Sequence, residues 1–167
     1  MIRELKNPMC DEYLQLKEII LSGHFPWSWG QSTRFGIEDY PFLSHCFIRR
    51  PGELGFLYPM PSCELAPKCN YVVGQINDLN DLRINCILRV NANLTFPWKD
   101  GRKTPIHTDH EFPHKNILIY LNDSDGDTVC GDERYSPKED AIIEFEGEHY
   151  HHLPSEDKRV VLVVTYI

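Results

Sequence analysis

Four apolar, β-branched segments in the second half of the chain constrain its fold most. They are NILIYLN (116–122), DTVCG (127–131), AIIEF (141–145) and RVVLVVTYI (159–167). The stretches between them, DSDG, DERYSPKED and EGEHYHHLPSEDK, are turn chemistry. Just upstream, LRINCILRVNANLTF (82–96) alternates with a period of two. Ile84, Cys86, Leu88, Val90, Ala92 and Leu94 share one parity, while Asn85, Arg89, Asn91 and Asn93 occupy the other. That segment reads as strand, with one greasy face and one polar face turned toward something. Short strands at this spacing imply a mainly β protein, an antiparallel barrel or jelly roll.

Ahead of the strands, CDEYLQLKEIILS (10–22) places Tyr13, Leu14, Leu16, Ile19, Ile20 and Leu21 at helical spacing, with Gly23 as a stop. The barrel is therefore expected to carry an N-terminal helical segment. Residues 24–55, rich in aromatics, glycine and proline, read as loops and short strands rather than long regular elements. FLYPMPSCELAPKCN (56–70) holds three prolines, so a helix there should be short or begin after Pro67.

A chain of 167 residues fits one domain over 1–167 and can bury a core. No apolar run approaches the length of a membrane span, and MIRELKNPMCDEY does not read as a signal peptide. The expectation is a soluble, intracellular, cytoplasmic protein. Its formal net charge of −8 speaks against nucleic acid as a partner, because counterion release needs clustered Lys and Arg. The short basic patches RR (49–50) and KDGRK (99–103) suit at most a local anionic ligand. The six cysteines show no CxxC spacing and are expected to remain thiols. A structural zinc domain built on Cys63, Cys69 and nearby histidines stands as an alternative.

The chemistry concentrates in PIHTDHEFPHKNILIYLNDSDGDT (105–128). On an extended strand His107 and Asp109 project from one face, their Cβ atoms ~6–7 Å apart. An imidazole and a carboxylate could then converge on one ion. NDSDGD lacks the twelfth-position glutamate of a calcium loop and reads as an Asp-Gly turn. His110 and His114 flank Pro113, which argues against a helical zinc pair, so they read as structural or substrate-loop residues. A second cluster, HYHH (149–152), follows, and Arg159 opens the last strand. Two histidines and a carboxylate make the facial triad of non-haem Fe(II) oxygenases, which leaves three positions open. A permanently charged guanidinium suits the far carboxylate of a chelating oxo-acid.

In combination, HTD…YLNDSDGDT…YSPKEDAIIEFEGEHYH…R resembles the core of the Fe(II)/2-oxoglutarate-dependent dioxygenases. It is most similar to the small prolyl-hydroxylase-like forms of phages and marine microbes, over residues 84–167 well and 25–50 loosely. The resemblance implies a double-stranded β-helix, the jelly-roll or cupin-like barrel, with Fe(II), 2-oxoglutarate and O2 as cofactors and co-substrates. It implies His107 and Asp109 as metal ligands. Counting six residues beyond Phe145 of F-x-G gives His151 as the distal ligand, with His149 and His152 as alternatives. The gap from His151 to Arg159 is a little shorter than usual for the family. Arg159 would hold the distal carboxylate of 2-oxoglutarate, with Tyr120, Asn91 and Asn93 as further co-substrate contacts. The implied reaction is hydroxylation of a protein side chain or small molecule. A modified nucleobase as substrate, or a non-enzymatic barrel that binds a metal or small acid, are the alternatives.

Overall fold

Apolar strands without polar alternation need cover on both faces, and this chain supplies it. The computed structural model describes residues 1–33 and 36–167, with side chains outside 31–41 and 54. Strand β1 (Arg3–Leu5) precedes helix α1 (Asp11–Leu21), the antiparallel pair β2 (Ser28–Thr33) and β3 (Gly36–Arg49), β4 (Met60–Pro61) and helix α2 (Ala66–Asn80). Then follow β5 (Ile87–Thr95), β6 (Lys115–Tyr120), β7 (Thr128–Cys130), β8 (Glu133–Tyr135), β9 (Ile142–Glu146), β10 (His149–His151) and β11 (Arg159–Tyr166).

The large antiparallel sheet runs β1-β9-β6-β11-β5-β3-β2, with β4 added on β3, and the small one runs β10-β7-β8. The result is the expected double-stranded β-helix. Its central strand, β11, shows why RVVLVVTYI has no polar face. Val160, Leu162 and Val164 join the core cluster that contains Tyr13, Leu16 and Ile20 of α1 and Val72, Val73 and Ile76 of α2. Val161 and Val163 point the other way, against Leu118, Tyr120, Phe145 and Cys130. Burying one such aliphatic side chain contributes about 1.5–3 kcal/mol, so this strand alone anchors the layered core. On β5 the polar parity survives: Val90, Ala92 and Leu94 pack toward the helices, while Arg89, Asn91, Asn93 and Thr95 line a cavity.

Three expectations are corrected. The 24–55 region contains β3, fourteen residues long, because pairing with β5 on one edge and with β2 and β4 on the other supplies order that the local Gly- and Pro-rich sequence does not. Helix α2 is fifteen residues and begins at Ala66, before Pro67. A proline in the first turn sacrifices an N–H that has no intrahelical acceptor anyway, so it starts the helix rather than blocking it. The segments read as turns between β7 and β11 contain β8 and β10, three residues each, held by pairing to the two edges of β7.

Two loop contacts pin the helices. Tyr13 and Lys17 of α1 both bond the Asp140 carboxylate, at 2.5 and 2.6 Å, and the Asn80 side chain bonds the backbone of Lys6. All six cysteines are unpaired thiols. No helix among the described residues is long and apolar enough to cross a membrane.

Candidate metal centre

His107 is not on a long strand. Residues 103–107 run beside the free edge of β10, through isolated antiparallel bridges Lys103–His152 and His107–His149. The His107 and His149 backbones exchange both hydrogen bonds, at 3.0 and 2.9 Å, and the chain then bends at Asp109. The consequence is close approach of rings distant in sequence: the His107 and His149 centroids are 4.4 Å apart. One nitrogen from each of His107, His149 and His151 lies within 4.8 Å of the others. Among the described residues this is the one such group of three His, Cys, Asp or Glu side chains. Asp109 completes the cluster, with Oδ2 3.8 Å from His149 Nε2.

Hydrogen bonding assigns the tautomers. His107 Nδ1 faces the Pro105 carbonyl at 2.8 Å and His149 Nδ1 faces the Gly147 carbonyl at 3.4 Å. A carbonyl only accepts, so Nδ1 carries the proton in both rings and Nε2 presents its lone pair. Both Nε2 lone pairs are therefore available to a cation. His151 differs. Its Nδ1 lies 3.3 Å from Arg159 Nη2 and 3.1 Å from Thr128 Oγ1. Guanidinium only donates, so Nδ1 is an acceptor and the proton of the neutral ring sits on Nε2. The His152 ring lies 5.5 Å from that of Tyr150, and His152 is not in the cluster of three, although it too lines the neighbouring cavity.

The electrostatics favour a cation. Burial alone would raise the Asp109 carboxyl, but the Arg89 guanidinium and the imidazoles of His149 and His107 outweigh it and hold it well below the usual range. Burial lowers His149 to about 4 against the opposing pull of Asp109, and burial together with Arg159 keeps His151 neutral well below the normal imidazole value. Neutral imidazoles and an ionised carboxylate are what metal ligation requires.

A cavity of about 310 Å³ opens from this cluster along the polar face of β5. Arg159, 4% exposed, also lines it. Arg159 Nη2 donates to Thr128 Oγ1 at 3.1 Å, and its guanidinium lies 5.5 Å from the centre of the Tyr120 ring. Among the described residues no carboxylate pairs with it, and its buried Nε has no hydrogen-bond partner. The nearby Asp127 carboxylate attracts it but makes no ion pair with it, so a buried cation faces the cavity with its charge only partly offset. Gly126 makes room for it: a Cβ there would stand 3.0 Å from both Arg159 Cδ and the His152 carbonyl.

The structure brings His107, Asp109, His149, His151, Arg159, Asn91 and Asn93 to one cavity wall. Asn91 Oδ1 is buried there without a partner. Tyr120 is fully buried behind Arg159 rather than on the wall, its hydroxyl 2.8 Å from Thr128 Oγ1. His110 and His114 lie elsewhere, with His110 Nε2 2.8 Å from Thr165 Oγ1. Cys63 Sγ is 3.4 Å from His45 Nε2, and no third metal-binding group joins them among the described residues. Arg89 and Thr128 were not singled out from the sequence. Arg89 shares the polar parity of Asn91 and Asn93, a signal that was available. Thr128 shows only as the last residue of the GDT triplet.

No family model and no curated relative matches the chain. Solved structures do match its fold. A 2OG-Fe(II) oxygenase family oxidoreductase from Burkholderia pseudomallei superposes with a TM-score of 0.66 at 12% identity, over 92% of this chain and 76% of that one. The viral collagen prolyl hydroxylase of Paramecium bursaria Chlorella virus-1, solved with 2OG, gives 0.58 at 12% identity over 99% and 94%. The epimerase SnoN, in complex with Fe3+, alpha ketoglutarate and nogalamycin RO, gives 0.60 at 12% identity over 99% and 78%. The fold is that of the 2OG-Fe(II) oxygenases.

Proposed function

We propose that this chain is an Fe(II)- and 2-oxoglutarate-dependent dioxygenase whose iron is held by His107, Asp109 and His149. The observation that carries this reading is a shared cavity, lined both by two imidazoles with free Nε2 lone pairs and an ionised carboxylate and by Arg159, a buried guanidinium with no ion-pair partner among the described residues. Hard and borderline donors of this set suit ferrous iron and leave coordination positions for a chelating ligand. His149 replaces the expected His151 as distal ligand because only His149 faces His107 directly and offers an unprotonated Nε2.

When bound, Fe(II) and 2-oxoglutarate supply the chemistry: O2 oxidises the oxo-acid to succinate and CO2 while one oxygen atom enters a substrate C–H bond. The chain's own residues bind and orient. Arg159 pairs with the distal carboxylate, and Thr128 and Tyr120 fix the guanidinium through the hydroxyl relay described above. Arg89 holds Oδ1 of Asp109, leaving Oδ2 turned toward His149. Asn91 and Asn93 offer polar contacts along the cavity wall.

The substrate is a protein side chain or a small molecule, classes represented among the structural neighbours by a collagen prolyl hydroxylase and by an epimerase bound to nogalamycin RO. The acidic net charge argues against polymeric nucleic acid.

The test is anaerobic addition of Fe(II) and 2-oxoglutarate, followed by visible absorption. A metal-to-ligand charge-transfer band is expected in the wild type and is lost in His107→Ala, Asp109→Ala and His149→Ala. Absence of the band in the wild type overturns the reading. Succinate release with candidate substrates then separates a dioxygenase from a barrel that only binds metal and acid.

A further inference from the structure

The proposed function employs His107, Asp109, His149 and Arg159 but gives His151 no task. Its position is specific. Antiparallel register places His151 directly across from Thr128, and their side chains meet on the face that carries Arg159. Its ring centroid is 5.2 Å from that of His149 and 6.1 Å from that of His107. The imidazole therefore spans the gap between the metal ligands and the anion-binding guanidinium.

The Arg159 guanidinium fixes the role of the His151 nitrogen that faces it. Arg159 Nη2 donates to Thr128 Oγ1 and lies 3.3 Å from His151 Nδ1, while Thr128 Oγ1 stands 3.1 Å from that same nitrogen and 2.8 Å from the Tyr120 hydroxyl. The one lone pair of Nδ1 therefore faces a guanidinium that can only donate. The remaining proton of His151 is on Nε2, which makes no hydrogen bond among the described residues, and the residue lines the cavity. Moving the proton to Nδ1 would set an N–H against the guanidinium of Arg159. Ligation of the metal through Nε2 is thereby disfavoured, and donation from Nε2 is favoured.

We propose that His151 is a co-substrate-binding residue, donating from Nε2 to an oxygen of the oxo-acid in the span between the metal and Arg159, and is not a metal ligand. This rests on the dioxygenase reading above.

The experiment uses the full chain, wild type and the variants His151→Leu and His151→Gln, with circular dichroism to check folding. Metal affinity is read with Co(II) absorption, and 2-oxoglutarate affinity with the anaerobic Fe(II) charge-transfer band. His151→Leu should bind Co(II) within about twofold of wild type, bind 2-oxoglutarate roughly tenfold more weakly, and shift the band maximum. His151→Gln, whose amide N–H stands near the Nε2 position, should restore both the affinity and the band. Where His151→Leu does not fold, His151→Asn replaces it, being polar but too short to reach. Loss of Co(II) binding in the variant lacking the donor would make His151 a ligand and overturn the proposal. Unchanged 2-oxoglutarate affinity and band position would overturn it equally. A wild type with no band at all marks failure of the dioxygenase reading itself, a result distinguishable from both.

Discussion

Arg89 and Asp109 form a buried ion pair, Nη2 to Oδ1 at 2.5 Å, with side chains 9% and 10% exposed. One oxygen of the carboxylate proposed as a metal ligand is thus tied to β5 in the metal-free protein. Arg50 adds a second tether, donating from Nη1 to the Asp109 carbonyl at 3.1 Å.

Removing one member of such a pair strands the other charge. Arg89→Met should destabilise the metal-free protein by about 3–5 kcal/mol, and Arg89→Met with Asp109→Leu should recover much of that loss. Thermal unfolding of the four species measures the coupling. Asp109 titrates below its unfolded value, so its contribution is complete above about pH 4 and is lost as the pH falls through the depressed folded value. In Arg89→Met that loss moves to higher pH. Additive single-site effects would dispose of the pair as a unit.

His149 predicts a second pH dependence. Its folded value of about 4 lies below the usual imidazole value near 6.5, mainly through burial. The unfolded chain then binds more protons between these limits, so the metal-free protein loses stability as the pH drops from about 6.5 to 4, by roughly 3 kcal/mol for this group. A His149→Asn variant should show a flatter stability profile over that window. An equally steep profile would assign the proton uptake elsewhere.

Arg159 should separate metal from co-substrate. Arg159→Met keeps the stem and removes the charge. Iron should still bind, while 2-oxoglutarate affinity falls roughly 10- to 100-fold, the range of hydrogen bonds to charged groups. Parallel titrations of Co(II) and 2-oxoglutarate read the two losses independently, and a matching loss of both would contradict the assignment.

Gly126 gives a purely steric test. Its φ is not in the left-handed region, so an alanine there suffers from the Arg159 stem and the His152 carbonyl rather than from backbone strain. Gly126→Ala should cost about 1–3 kcal/mol in stability and weaken 2-oxoglutarate binding without affecting the metal. Unaltered affinity would mean that Arg159 has room to spare.

The barrel was legible in residues 82–167 because strand periodicity and turn chemistry are local properties. The alternation on β5 even named the cavity wall, since side chains on one parity of a strand must share a face. Helix α1 was legible for the same reason. The long β3 was not, because its order comes from partners on both edges. Nor were β8 and β10, three-residue strands that exist only by pairing to β7.

What the sequence by itself determined is the inventory: a mainly antiparallel barrel, an HxD, a histidine cluster and a late arginine in the order a metal site with an anion pocket needs. Which nitrogen of each histidine carries the lone pair was decided by tertiary structure alone. His149 and His151 have the same strand parity, and the count from Phe145 in the sequence selected His151. Only the fold sets a carbonyl acceptor behind Nδ1 of one and a guanidinium donor behind Nδ1 of the other, and so puts the proton on opposite nitrogens of the two rings.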